Sequence, residues 1–334
     1  MKILLIGTFA SAGRPLLERF LQVPNEVMAF PGRFDERHVI KEIRDAEVVV
    51  GAPFTNSMGQ SARQLRLIQN TGVGVDRYDL SSFPPGVRLC VSAHHGAAMA
   101  EYVIMVILAM TRRLLPFDSQ FRQGKWDGSC IFNPLFTTRQ LTGRTLGLVG
   151  YGTIAKEIAG RASALGLRVQ AVKQNRSASA PPPGIDFLGG PADLHRLLAA
   201  ADYLVVTCPL TPETDGLIGE RELGLMKPDS YLINVSRAKI IREGPLYEAL
   251  RRGQIAGAAL DVWYNYPPGV QATTCFPSTY PFHELPNVIM TPHISSCTVE
   301  TIEARWRDIA YNIEHLEAGS ELRNEVQWSA QGAI

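Results

Sequence analysis

The chain has 334 residues, with 33 Lys and Arg against 32 Asp and Glu for a formal charge of +1. That balance, without any run of like charges, argues against a nucleic-acid or membrane-surface protein. A hydrophobic share of 46% and a charged share of 19% exclude a disordered chain and leave room for about two domains, each with its own core.

The opening Met-Lys-Ile-Leu-Leu-Ile-Gly is too short for a signal-peptide core and reads as a first strand. Further strands are expected at 47–50, 67–70 and 87–91, after a first one at 3–6. Gly7-Thr-Phe-Ala-Ser-Ala-Gly13 reads as an ordinary turn, because its glycine spacing is wrong for a phosphate loop. The apolar stretch 97–115 is interrupted by Glu101, Arg112 and Arg113, so it reads as a buried helix and not a membrane span. A turn-rich segment, 119–142, leads into a second strand series at 145–149, 168–172, 203–207, 231–235, 256–260 and 288–290. The segment 264–282, rich in Pro, Tyr and Thr, reads as an irregular surface excursion, and an amphipathic helix is expected at 299–316. Two series of strands alternating with helices predict an α/β protein of two Rossmann-like, doubly wound parallel-sheet domains. Five cysteines, at 90, 130, 208, 275 and 297, form no CxxC pair. No disulfide framework or zinc site is expected from them, and a reducing, cytoplasmic location is.

Chemistry enters at Leu146-Gly-Leu-Val-Gly150-Tyr-Gly152-Thr-Ile-Ala155, between an expected strand and an expected helix. Gly150 would permit the tight turn and Gly152 the close approach of a pyrophosphate. Ala155 would serve as the small residue for helix–strand packing, and the helix N-terminus offers N–H groups to phosphate. The next strand ends in Val172-Lys173-Gln174-Asn175-Arg176, with no carboxylate for a ribose 2′-hydroxyl. A carboxylate would repel a 2′-phosphate, whereas Lys173 and Arg176 can pair with it, so NADP(H) is expected over NAD(H).

Five ordered blocks carry a resemblance: Asn70-Thr-Gly-Val-Gly74-Val-Asp76, Met99-Ala-Glu101, Leu148-Val-Gly150-Tyr-Gly152, Leu232-Ile-Asn-Val-Ser-Arg237 and Thr291-Pro-His293. Over nearly the whole chain they resemble the D-2-hydroxyacid dehydrogenases, the group that includes glyoxylate/hydroxypyruvate reductases. The resemblance implies a cofactor domain, 99–298, inserted into a discontinuous substrate domain made of 1–98 plus 299–334. It implies reversible hydride transfer between a nicotinamide cofactor and a 2-oxo or D-2-hydroxy acid. A homodimer, built in part by the helix after Met99, is implied too, with no nucleic-acid or membrane partner. Arg237 would hold the substrate carboxylate and carbonyl through its planar fork, and His293 would act as general acid and base. Backbone N–H groups of Val73, Gly74 and Val75 would cradle the carboxylate, with His95 touching substrate. Cofactor contacts would come from Gly150, Gly152, Thr153, Ile154, Lys173, Asn175, Arg176, Cys208, Pro209, Thr214, Val235, Ser236, Arg237, Asp261 and His293. No metal is expected, His94-His95 having no Asp, Glu or Cys at ligand spacing. Trp126, Trp263 and Trp306 read as packing residues.

One departure matters. Most of this family places a glutamate, as partner of the catalytic histidine, five positions beyond the aspartate that corresponds to Asp261. Here that position is Tyr266. A neutral hydroxyl can orient an imidazole but supplies little stabilisation of its charged form, so keto-acid reduction is expected to fall off at a lower pH than in glutamate-bearing relatives. Glu284 is a second candidate partner. Two other readings stay open: a dinucleotide-sensing binding protein, like the co-repressors that share this fold, and a dehydrogenase of another oxyanion such as phosphite.

Overall fold

The computed structural model describes every residue except 33, 127, 134, 176–179, 268–273, 330, 331 and 334. Strands in chain order are β1 (Lys2–Ile6), β2 (Glu26–Phe30), β3 (Val48–Gly51), β4 (Leu67–Gln69), β5 (Arg88–Cys90), β6 (Thr145–Val149) and β7 (Arg168–Val172). They continue as β8 (Phe187–Gly189), β9 (Tyr203–Val206), β10 (Tyr231–Asn234), β11 (Gly257–Leu260), β12 (Val288–Met290) and β13 (Glu325–Val326). Two compact units result: Met1–His94 with Tyr266–Cys275 and Thr298–Ile334, and His95–Asn265 with Phe276–Cys297. Both are parallel-sheet α/β units, the second inserted into the sequence of the first.

The first unit has the strand order β13-β5-β4-β3-β1-β2, parallel throughout except for β13 at one edge. Its central strands are almost wholly apolar, as strands covered on both faces must be. One face is covered by the helix Val299–Glu317, whose Trp306, Ile309 and Ile313 pack with Ile3, Leu5 and Val50. The run 7–13 is not a simple turn. Thr8–Ala12 is helical, and Phe9 stacks on Trp306 with ring centroids 6.4 Å apart. Gly13 is needed there, because a Cβ would lie 1.6 Å from the Trp306 ring.

The second unit has the order β12-β11-β10-β9-β6-β7-β8, parallel throughout. The helix Gly96–Thr111 buries Ala100, Val103 and Ile107 against this sheet's layer. The helix expected at 97–115 is therefore shorter. Arg113 takes a left-handed conformation at φ 51°, and a separate helix, Leu114–Phe121, follows. Strands β2 and β8 were not expected. Both lie at sheet edges, where a short strand needs little apolar pattern. No helix among the described residues is long and apolar enough to cross a membrane.

Candidate active site

Seven parallel strands send their following loops to one edge of the second unit's sheet. Gly150, Lys173, Cys208, Arg237, Asp261 and His293 follow β6, β7, β9, β10, β11 and β12 respectively, so they share that carboxyl edge. The chain reverses its winding between β6 and β9, and open α/β sheets bind ligands at such a point.

Gly150 sits there at φ 99°, with its N–H on the Val172 carbonyl at 2.9 Å. A Cβ would lie 2.6 Å from the Cys208 nitrogen, so no other residue fits. Gly152 caps the helix Thr153–Ala164, and a Cβ on it would meet nothing within 4 Å. That open side, beside the first N–H groups of the helix, fits a pyrophosphate. Thr153 is exposed and Ile154 half-buried at the helix start, while Ala155 is fully buried. After β7, Lys173 is half-buried and donates its backbone N–H to Gly189, and Asn175 is exposed. Arg176 lies outside the described residues.

Cys208 is buried, its thiol pushed up to about 11 by desolvation, so it stays neutral. Pro209 is exposed, and Thr214 Oγ1 donates to its carbonyl at 2.7 Å while accepting from the Thr211 N–H at 2.8 Å. Ser236 Oγ donates to the Cys208 carbonyl, joining the loops after β9 and β10. Val235 is buried behind them. Asn234 shapes the Arg237 turn: its side chain donates to the Arg237 carbonyl at 3.0 Å and accepts from the Ser236 N–H at 3.1 Å. The Arg237 guanidinium is half-buried, with Nη1 on the Ser236 carbonyl at 2.9 Å.

His293 is exposed and left-handed at φ 59°, with its N–H on the Thr291 carbonyl at 3.0 Å. Asp261, expected on the cofactor, has no exposed surface. Its carboxylate accepts from Thr291 Oγ1 at 2.6 Å and from the N–H groups of Ile294 and Ser295, both at 2.8 Å. In this structure the three donors make it a brace for the histidine turn. Trp263 does more than pack, donating Nε1 to the Thr291 carbonyl at 2.8 Å. Tyr266 belongs to the first unit and is 51% exposed. Glu284 lies 3.9 Å from His283 and makes no ion pair with His293.

In the first unit, the loop after β4 is shaped by Asn70. Its side chain donates to the Gly74 carbonyl at 2.8 Å and accepts from the Gly72 N–H at 3.2 Å. Ser92 ties the same loop down through the Gly72 and Asn70 carbonyls. The N–H groups of Val73, Gly74 and Val75 donate to no acceptor among the described residues, which leaves three consecutive donors open to an anion. His95, buried, caps the helix Gly96–Thr111, and His94 pairs with Asp308 at 2.5 Å. Among the described residues no group of three or more His, Cys, Asp or Glu side chains converges as a metal site.

A doubly wound parallel sheet with a glycine turn and a helix N-terminus at its switch point defines a dinucleotide-binding domain. The D-isomer specific 2-hydroxyacid dehydrogenase, NAD binding domain, family matches residues 104–295. The chain belongs to the D-isomer specific 2-hydroxyacid dehydrogenase family. It is similar to a glyoxylate reductase of Thermofilum pendens, 34% identical over 77% of this chain and 70% of that one. It is also similar to a D-3-phosphoglycerate dehydrogenase of Methanocaldococcus jannaschii, 30% identical over 92% of this chain but 56% of that one. The chain thus spans about half the length of the phosphoglycerate dehydrogenases it matches. Among solved structures it is similar to an NADPH-dependent glyoxylate/hydroxypyruvate reductase of Sinorhizobium meliloti in complex with NADP and malonate. There the TM-score is 0.79 at 27% identity, covering 98% of this chain and 96% of that one.

Proposed function

We propose that this chain exchanges a hydride between NADP(H) and a small 2-oxo or D-2-hydroxy acid. The observation that carries the reading is the shared sheet edge that presents the glycine turn, Arg237 and His293 together. A bound nicotinamide would supply the hydride. Arg237 holds carboxylate and carbonyl oxygens through a guanidinium aimed by the Asn234-braced turn. His293 donates the proton that the carbonyl oxygen needs as the hydride arrives at carbon, and takes it back in the reverse direction. To the substrate carboxylate we also assign the open N–H groups of Val73, Gly74 and Val75. Lys173 and the absence of a carboxylate at positions 173–175 support the phosphorylated cofactor. We further assign residues 99–298 to the cofactor and residues 1–98 plus 299–334 to the substrate as functional units, and a homodimer as the working assembly.

The test is a panel of 2-oxo acids, from glyoxylate and hydroxypyruvate to larger side chains, against NADPH and NADH. The expected result is turnover of at least one small 2-oxo acid, with kcat/KM higher for NADPH. Tight cofactor binding without turnover of any oxo acid would instead support a dinucleotide sensor.

A further inference from the structure

The turn that carries His293 hangs on one hydroxyl that no catalytic role explains. Tyr102, on the helix Gly96–Thr111, is 6% exposed, and its hydroxyl lies 2.6 Å from Thr291 Oγ1. Thr291 Oγ1 in turn lies 2.6 Å from Asp261 Oδ1. The direction of this chain follows from counting protons. An ionised carboxylate only accepts, so the single Thr291 hydroxyl proton goes to Asp261. The threonine oxygen must then accept from Tyr102, whose phenol burial pushes up to about 12 and so keeps protonated. The same carboxylate holds the N–H groups of Ile294 and Ser295, and the Thr291 carbonyl accepts from Trp263 Nε1 and the His293 N–H. Residues on both sides of His293 are fixed, while His293 itself occupies a left-handed conformation that only such over-determination maintains.

We propose that Tyr102 is a positioning residue: its hydroxyl, acting through Thr291 and Asp261, sets the direction of the His293 imidazole. This rests on the reading of His293 as the proton donor. Nothing in the reaction requires Tyr102 to touch substrate. Its loss is felt as a misdirected imidazole, because proton transfer weakens steeply with donor misalignment.

The experiment compares the full-length protein with Tyr102→Phe, Thr291→Val and the double variant. Turnover with NADPH and the best 2-oxo acid is measured beside NMR of the imidazole signals, the His293 signal being assigned by its loss in His293→Asn. Tyr102→Phe is expected to lower kcat about tenfold, with the oxo-acid KM and NADPH Kd within about twofold. The His293 ring signals should shift, and the double variant should lose no more than the larger single loss, since both changes cut one chain. Unshifted His293 signals in both single variants would overturn the proposal at any level of turnover. Shifted signals in a protein that reduces no oxo acid would leave the positioning chain standing and discard the proton-donor reading.

Discussion

At the scale of single residues, the account divides groups that do chemistry from groups that aim them. His293→Asn is expected to lower kcat by about 10²–10⁴, the usual worth of a positioned acid, a far larger effect than any on NADPH affinity read by fluorescence titration. Gly150→Ala acts differently. It places a methyl 2.6 Å from the Cys208 backbone nitrogen, in a backbone conformation alanine avoids. The expected outcome is a lowered melting temperature together with lost cofactor binding, and an unchanged NADPH Kd would contradict the glycine's role. The aiming groups were the hardest to read from sequence. Arg237 and His293 stand in recognisable motifs, whereas Asp261 acts through the Thr291 hydroxyl and the N–H groups of Ile294 and Ser295, which only the fold brings near. The family resemblance implies a cofactor-side role for Asp261. Its burial and three donors make it a brace, and nothing local to residue 261 announces that.

At the scale of elements, apolar central strands were legible because burial on both faces demands β-branched and aliphatic runs. β6, β7 and β12 were expected within their observed limits, while the edge strands β2 and β8 were not. The run 7–13 reads as a turn on its glycines, yet it folds as a short helix because Trp306, far away in sequence, offers Phe9 and Gly13 a surface. β13 is a similar long-range element. It pairs antiparallel with β5, and Arg88 binds Glu325 through two guanidinium nitrogens, at 2.8 and 2.5 Å. The Arg88 hydrogen bonds hold the Glu325 carboxyl below its ordinary value of 4.5. A depressed carboxylate stabilises the fold above its unfolded pKa, and the contribution disappears as pH falls through the folded value. Amide exchange at residues 325–326, corrected for intrinsic rate, should therefore accelerate below about pH 4.5. Glu325→Gln should exchange faster at neutral pH and lose that dependence. Equal protection in the two proteins across the range would mean that the ion pair does not hold the strand.

At the scale of the whole molecule, the second unit leaves a run of large apolar side chains exposed: Trp126 at 51%, Ile131 at 75%, Phe132 at 72% and Leu135 at 89%. Large apolar side chains are seldom left uncovered together on a folded surface, and a second copy of the chain is the partner the homodimer reading supplies. Phe132→Glu should convert a dimer, measured by sedimentation, into a monomer, and a wild type that is monomeric at micromolar concentration would refute the assignment. Two doubly wound units and their order were legible from strand alternation and five motifs, but the apolar cluster was not. Its residues lie in a turn-rich segment without periodicity, where exposure cannot be read from composition. Everything functional still turns on whether Arg237 holds the substrate. The most direct measurement is steady-state reduction of the preferred 2-oxo acid by Arg237→Gln, beside NADPH Kd. A fall in kcat/KM of at least about 10² with NADPH affinity within threefold is the predicted result, since a charge-assisted fork to the carboxylate and carbonyl is lost. Undiminished kcat/KM would contradict the account.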